Sequence, residues 1–327
     1  MAGAYIFGCA GADLTKDEAA FFRDADPWGF ILFARNVDTP DRLRRLTAAL
    51  RDSVGRDAPI LVDQEGGRVQ RLGPPFWTNW PKPLDQMDAA KDPARAMFLR
   101  ATLIARELRD VGIDVNCTPT ADIAGDRTHP FLLNRCYGRT VDEVAIRAAA
   151  NADGCLQGGV LPVMKHMPGH GRGAVDSHYG LPRVTASFDN LDGTDFEVFR
   201  RLRDLPLGMS AHVVYEQIDD APGTISAPVV QLIREQIGFE GLLMTDDISM
   251  GALPGTMGER CTASLQAGCD VILHCNGERS DMEAVCAVSP ALQGQALTRA
   301  DRALIQRQDP VEIDLDAAKA ELARLTG

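Results

Sequence analysis

Val160-Leu161-Pro162-Val163-Met164-Lys165-His166 is the stretch on which the fold reading turns. An unbroken apolar run ends abruptly in two side chains that can carry chemistry. Apolar and polar residues do not alternate through it, so a strand built from it must be covered on both faces. The same form recurs in seven further places: YIFGC (5–9), GFILFA (29–34), PILVDQ (59–64), GIDVNC (112–117), LGMSAH (207–212), GLLMTD (241–246) and DVILHC (270–275).

Helical patterns fill the intervals between these runs. Leu43, Leu46 and Leu50 line one face, as do Ala94, Met97, Phe98, Ala101, Ile104 and Leu108 further on. Thr15-x-x-Glu18, Thr140-x-x-Glu143 and Ser280-x-x-Glu283 read as capping boxes, and Thr39-Pro40 as a cap before a first-turn proline. Gly268 stands where a helix should stop before the last strand. Eight β–α units with no break in composition predict an α/β protein with a single (β/α)8 TIM-type barrel over residues 1–327. A doubly wound sheet is the structural rival. Residues 297–327 read as helix wrapped around the bottom or side. Two long loops, 66–91 and 166–190, are candidates for function.

In such a barrel the reactive groups gather at the C-terminal strand ends. Polar residues stand at just those ends: Arg35-Asn36, Asp63-Gln64-Glu65, Lys165-His166, His212, Asp246-Asp247 and His274. Only one end of each strand is decorated, which solvation alone does not explain. Arg71 follows the third run closely, and Arg135 sits between Asn134 and Tyr137 after the fourth.

The loop after the fifth run is densest, with three of the chain's six histidines at 166, 170 and 178. His166-x3-His170 has the spacing of a helical zinc pair, but Pro168 and Gly169 break any regular helix there. In extended chain, Asp176 and His178 point the same way. A carboxylate so placed fixes the imidazole tautomer and favours the protonated ring, giving a proton donor near neutral pH. A plain loop staple fits that spacing equally well. Of Asp246 and Asp247, a regular strand lets at most one face the barrel mouth. Both parities are apolar upstream, so periodicity does not choose. A carboxylate at a strand tip can be a nucleophile, a metal ligand or a helix N-cap, and at least one of the two reads as a cap. Gly169-x-Gly171-x-Gly173 lacks the spacing of a dinucleotide fingerprint.

Composition limits the partners. Lys+Arg 34 against Asp+Glu 46 gives a net charge of −12, which argues against nucleic-acid backbones and anionic membranes. No apolar run reaches membrane-spanning length. The N-terminus lacks the basic flank of a signal peptide. The eight cysteines form no CxxC pair and sit mostly in apolar segments, so they read as reduced thiols of a cytoplasmic protein.

The segments ILFARN (31–36), LVDQEGGRVQRL (61–72), NRCYG (134–138), KHMPGHG…DSH (165–178) and GFEGLLMTDDISM (238–250) resemble those of bacterial β-N-acetylhexosaminidases of glycoside hydrolase family 3, in the same order along most of the chain. The likeness is to the single-domain enzymes of cell-wall recycling. It implies a retaining exo-hydrolase that removes terminal β-linked N-acetylglucosamine from muropeptides carrying 1,6-anhydro-N-acetylmuramic acid. Carried over position by position, it implies Asp246 as nucleophile and His178 as acid/base, supported by Asp176. It implies sugar contacts at Asp63, Arg71, Arg135, Lys165 and His166, with no cofactor and no metal. Met167, Cys136-Tyr137 and Thr245 depart mildly from the usual pattern, and none removes a catalytic group. The expected partner is the small-molecule substrate, with the chain a monomer or weak oligomer.

Two other readings compete. A metal-dependent barrel hydrolase could use His166, His170, His178 and Asp246, but it normally wants a histidine pair after the first strand, where Ile6 to Ala10 holds none. A non-catalytic N-acetylglucosamine-binding relative is disfavoured by the retained Asp246, Asp176 and His178.

Overall fold

The computed structural model describes residues 1–173, 175 and 180–327. Its strands are β1 (Gly3–Gly8), β2 (Pro27–Leu32), β3 (Ile60–Val62), β4 (Val115–Asn116), β5 (Leu161–Met167), β6 (Arg183–Val184), β7 (Leu207–Ser210), β8 (Val214–Tyr215), β9 (Leu242–Met244) and β10 (Ile272–His274). Eight of them pair in the order β10-β1-β2-β3-β4-β5-β7-β9, every neighbour parallel. A parallel bridge between Met244 and Val271 joins the two ends of this row. The ring therefore closes into the expected (β/α)8 barrel, and the doubly wound alternative, which needs two free edges, is ruled out. Strands β6 and β8 form a small separate parallel pair among the loops over the C-terminal end.

The near-continuous apolar runs follow from burial on both sides. Ile6, Ile31, Leu61, Val163, Leu242 and Met244 fill the barrel interior. Their chain neighbours Phe7, Phe30, Val62, Met164 and Leu243 pack outward against the helices. Each fully buried side chain of this size contributes about 1.5–3 kcal/mol relative to exposure.

Local signals in the sequence fix most helix ends. Thr39 accepts from the Arg42 amide with Pro40 in the first turn. Thr140 and Glu143 form a reciprocal capping box. Gly268 ends its helix at φ 111°. Two of the three expected boxes are not complete: Thr15 accepts from the Glu18 amide, but Glu18 Oε1 accepts from the Ala10 amide instead of the cap, and the helix Arg279–Val288 has Glu278 at its N-cap position without a side-chain cap bond, so Ser280 lies inside its first turn. The fourth strand is also shorter than expected. Gly112 turns at φ 80°, and the buried Asp114 accepts from the Ile60 amide and pairs with Arg51 and Arg307. The C-terminal stretch wraps as expected. Ala300 and Ala303 of the helix Gly294–Ile305 close the barrel interior from below, while the helix Leu315–Thr326 lies against Pro93–Arg109 on the side.

Among the described residues, no helix is long and apolar enough to cross a membrane. All eight cysteines are unpaired thiols, seven of them buried.

Candidate active site

A pocket opens at the C-terminal ends of the barrel strands. Ile31, Met209 and Leu273 supply apolar walls from the barrel interior. Asp63, Arg71, Arg135, Lys165, His166 and Asp246 all line it. The sequence thus selects six residues that the fold brings together from segments as far apart as positions 63 and 246. Asp176 and His178 lie outside the described residues.

Strand parity, undecidable from the sequence, is set by the fold. Leu242 and Met244 face inward, so Asp246 continues the inward row. Its carboxylate is partly buried and accepts one hydrogen bond among the described residues, from the Asp247 amide at 2.8 Å. Asp247 is a turn staple. Its Oδ1 accepts from the amides of Ser249 and Cys275 at 3.1 and 3.2 Å, and its Oδ2 from the Ser249 hydroxyl at 2.8 Å.

The cations opposite Asp246 are tied together by carboxylates. Lys165 Nζ donates to Asp63 Oδ1 at 2.7 Å and lies 2.6 Å from Glu65 Oε1. Arg71 Nη2 donates to Asp63 Oδ2 at 3.2 Å. Arg135 grips Glu65 through Nε and Nη2, both at 2.9 Å. Burial alone would raise the Asp63 carboxyl, but Lys165 and Arg71 outweigh it and hold it well below the usual carboxylate range. Burial would likewise lower the Lys165 ammonium, and Asp63 and Glu65 reverse that, keeping it charged. Asp246 also ends below its ordinary value: burial raises it, while His212, His166, the Asp247 amide and Lys165 together pull it down. The pocket therefore presents an anion with spare lone pairs facing a lattice of fixed N–H donors.

His166 is oriented from behind. Its Nδ1 lies 2.7 Å from Asp122 Oδ2, and its Nε2 lies 3.4 Å from Arg135 Nη2. A guanidinium can only donate, so Nε2 accepts and the Nδ1 proton points to Asp122. The same carboxylate accepts from the His170 amide at 2.6 Å. The rings of His166 and His170 meet edge-on, with centroids 5.5 Å apart, rather than standing side by side as a helical metal pair.

Sequence reasoning missed Asp122, placed His170 only in the competing metal-dependent reading, and saw Glu65 only as one more strand-end acid. Asp122 sits in a long loop with no motif around it. Four other polar residues, at three strand ends, are structural. Arg35 donates to the Cys9 and Cys275 carbonyls, and Asn36 to the Cys9 and Gly11 carbonyls. His212 Nδ1 lies 2.7 Å from Thr224 Oγ1, and its Nε2 lies 3.0 Å from the Asp247 carbonyl. His274 lies outside the barrel wall, edge-on to Phe7. Trp80 is buried and donates Nε1 to Glu107 on the helix Pro93–Arg109.

Comparison with known proteins places this geometry. A model of the glycosyl hydrolase family 3 N terminal domain matches residues 11–303. A β-hexosaminidase of Alkalilimnicola ehrlichii is 36% identical over 286 residues, covering 84% of this chain and 81% of that protein. One from Methylobacillus flagellatus is 34% identical over 319 residues, covering 92% and 88%. The crystal structure of NagZ from Neisseria gonorrhoeae in complex with N-trifluoroacetyl-D-glucosamine superposes with a TM-score of 0.89 at 30% identity, covering 100% of this chain and 98% of that one.

Proposed function

Because the chain belongs to glycosyl hydrolase family 3 and is a glycoside hydrolase of the β-N-acetylhexosaminidase type, we propose that it removes a terminal β-linked N-acetylglucosamine with retention, through a covalent glycosyl-Asp246 intermediate. The proposed substrates are cytoplasmic peptidoglycan fragments in which that sugar is joined to 1,6-anhydro-N-acetylmuramic acid. The observation that carries the reading is the Asp246 carboxylate, with a single described hydrogen bond, standing in the same pocket as Asp63, Arg71, Arg135 and Lys165.

The chemistry follows from those positions. The fixed donors of Arg71, Arg135 and Lys165, with the acceptor oxygens of Asp63, hold the hydroxyls of one sugar ring. Ile31, Met209 and Leu273 line the same pocket and offer that ring an apolar wall. His178, supported by Asp176, protonates the glycosidic oxygen as Asp246 attacks the anomeric carbon. The leaving sugar departs, and neutral His178 then takes a proton from the water that breaks the ester. Two inversions at one carbon give net retention.

The test is a slow fluorinated N-acetylglucosaminyl inactivator followed by peptide mapping. The adduct is expected on the peptide carrying Asp246. Complete inactivation with the label elsewhere overturns the assignment.

A further inference from the structure

Glu65 forms no part of the pocket wall, yet it touches two residues that do. Its side chain is fully buried just beyond β3. Arg135 spends Nε and one face of Nη2 on it, and Lys165 spends one N–H. The main chain that carries it is itself anchored, since Arg100 Nη2 donates to the Glu65 carbonyl at 2.6 Å and to the Pro81 carbonyl at 2.8 Å.

The charges show what this carboxylate does. Arg71, Arg135 and Lys165 bring three cations to the pocket, and Asp63 is bonded to only two of them, Arg71 and Lys165. Arg135 has no carboxylate within bonding distance except Glu65 among the described residues. Without Glu65 its flexible stem is free to swing toward Asp63 or Asp246, and either move takes a donor away from the ligand. The bidentate fork instead fixes the guanidinium plane. The Lys165 contact, shared between Glu65 and Asp63, locks the second donor relative to the first.

We propose that Glu65 is a positioning residue for substrate binding: it holds Arg135 and Lys165 so that their remaining N–H groups meet the hydroxyl oxygens of the terminal N-acetylhexosamine. The inference rests on the pocket being the sugar site and is independent of which carboxylate acts as nucleophile.

The test compares the wild type with E65Q, R135Q and the double variant. The readouts are kcat and KM on 4-nitrophenyl N-acetyl-β-D-glucosaminide, calorimetric affinity for N-acetylglucosamine, and thermal melting. E65Q is expected to raise KM and weaken N-acetylglucosamine binding in parallel, by roughly 10- to 100-fold, the range expected for misplacing one or two charged hydrogen bonds, while kcat falls by much less. The double variant is expected to lose clearly less than the product of the two single losses, because Glu65 and Arg135 act as a unit, with only the part of the Glu65 effect that runs through Lys165 adding to R135Q. Unchanged KM in E65Q, or losses that multiply in the double variant, overturn the proposal. If E65Q does not fold, E65D takes its place. It keeps the charge but is too short to bond both cations, so its KM should rise with kcat near wild type, and a wild-type KM overturns the proposal. Failure of the hydrolytic reading is a separate outcome: the wild type binds the sugar but cleaves nothing.

Discussion

Asp246 and Asp247 are adjacent in the chain and line the same pocket, but the scaffold engages only the second carboxylate from several sides. Asp246 continues the inward row of Leu242 and Met244 into the pocket. Asp247 turns its carboxylate to Ser249 and the Cys275 amide, tying the end of β9 to the end of β10. One chain position separates a carboxylate with a single described hydrogen bond from one that accepts three.

The two alanine variants should therefore fail differently. Asp246→Ala is expected to lower kcat by on the order of 10⁴-fold or more, with little change in melting. Asp247→Ala is expected to keep far more activity and to lose about 1–3 kcal/mol of stability, because three donors lose their acceptor. Steady-state kinetics together with denaturant melts separate the outcomes. Equal loss of turnover in both would undo the distinction.

Strand parity explains what the sequence hid. Asp63 shares the inward parity of Leu61, and Lys165 that of Leu161 and Val163. His274 follows inward Leu273 and so faces outward against Phe7. As strings of letters, Lys165 and His274 are alike, each a basic residue after an apolar run. Both faces of most barrel strands are apolar, which made the strands easy to find and their inward rows impossible to assign. The family resemblance supplied the choice that periodicity did not. It did not reach Glu65 and Asp122, because they act through other side chains and only the tertiary fold sets them beneath Arg135 and His166. The fourth strand was overestimated because Asp114, within its run, is bonded at the barrel's lower end.

The proposed role of His178 predicts a dependence on the leaving group. In His178→Ala, cleavage of an N-acetylglucosaminyl disaccharide should fall by roughly 10²- to 10⁴-fold, the usual worth of general acid help. Glycosylation by a 4-nitrophenyl substrate should fall much less, since that leaving group departs without a proton. Pre-steady-state bursts on the two substrates measure this. Equal losses would remove His178 from the acid role.

Chelation tests the metal-dependent alternative. The proposed chemistry uses a carboxylate nucleophile and an imidazole proton carrier, and positive charge in the pocket comes from Arg71, Arg135 and Lys165. Prolonged dialysis against EDTA should leave kcat/KM on the aryl substrate unchanged. A loss restored by one divalent metal would favour the metal-dependent reading.

His170 gives a pH signature in stability. It is buried, and burial, followed by its neighbour His166, pushes its pKa down from 6.5 to about 4. Asp122 and Asp246 oppose that shift, and Arg135 adds to it. Between pH 6.5 and about 4 the unfolded chain thus carries a proton on this ring that the folded chain does not. Stability must then fall as the pH drops through that window and level off, for this group, below it. The full effect is on the order of 3 kcal/mol. Nearby carboxylates with depressed values add their own losses at lower pH, so the diagnostic is a difference between two proteins. His170→Gln should be less stable than wild type at pH 7.5, from disturbed packing, yet lose less further stability between pH 6.5 and 4.5. Urea melts across that range measure both slopes. Parallel slopes would mean that the His170 ring takes up its proton as readily in the folded protein as in the unfolded chain.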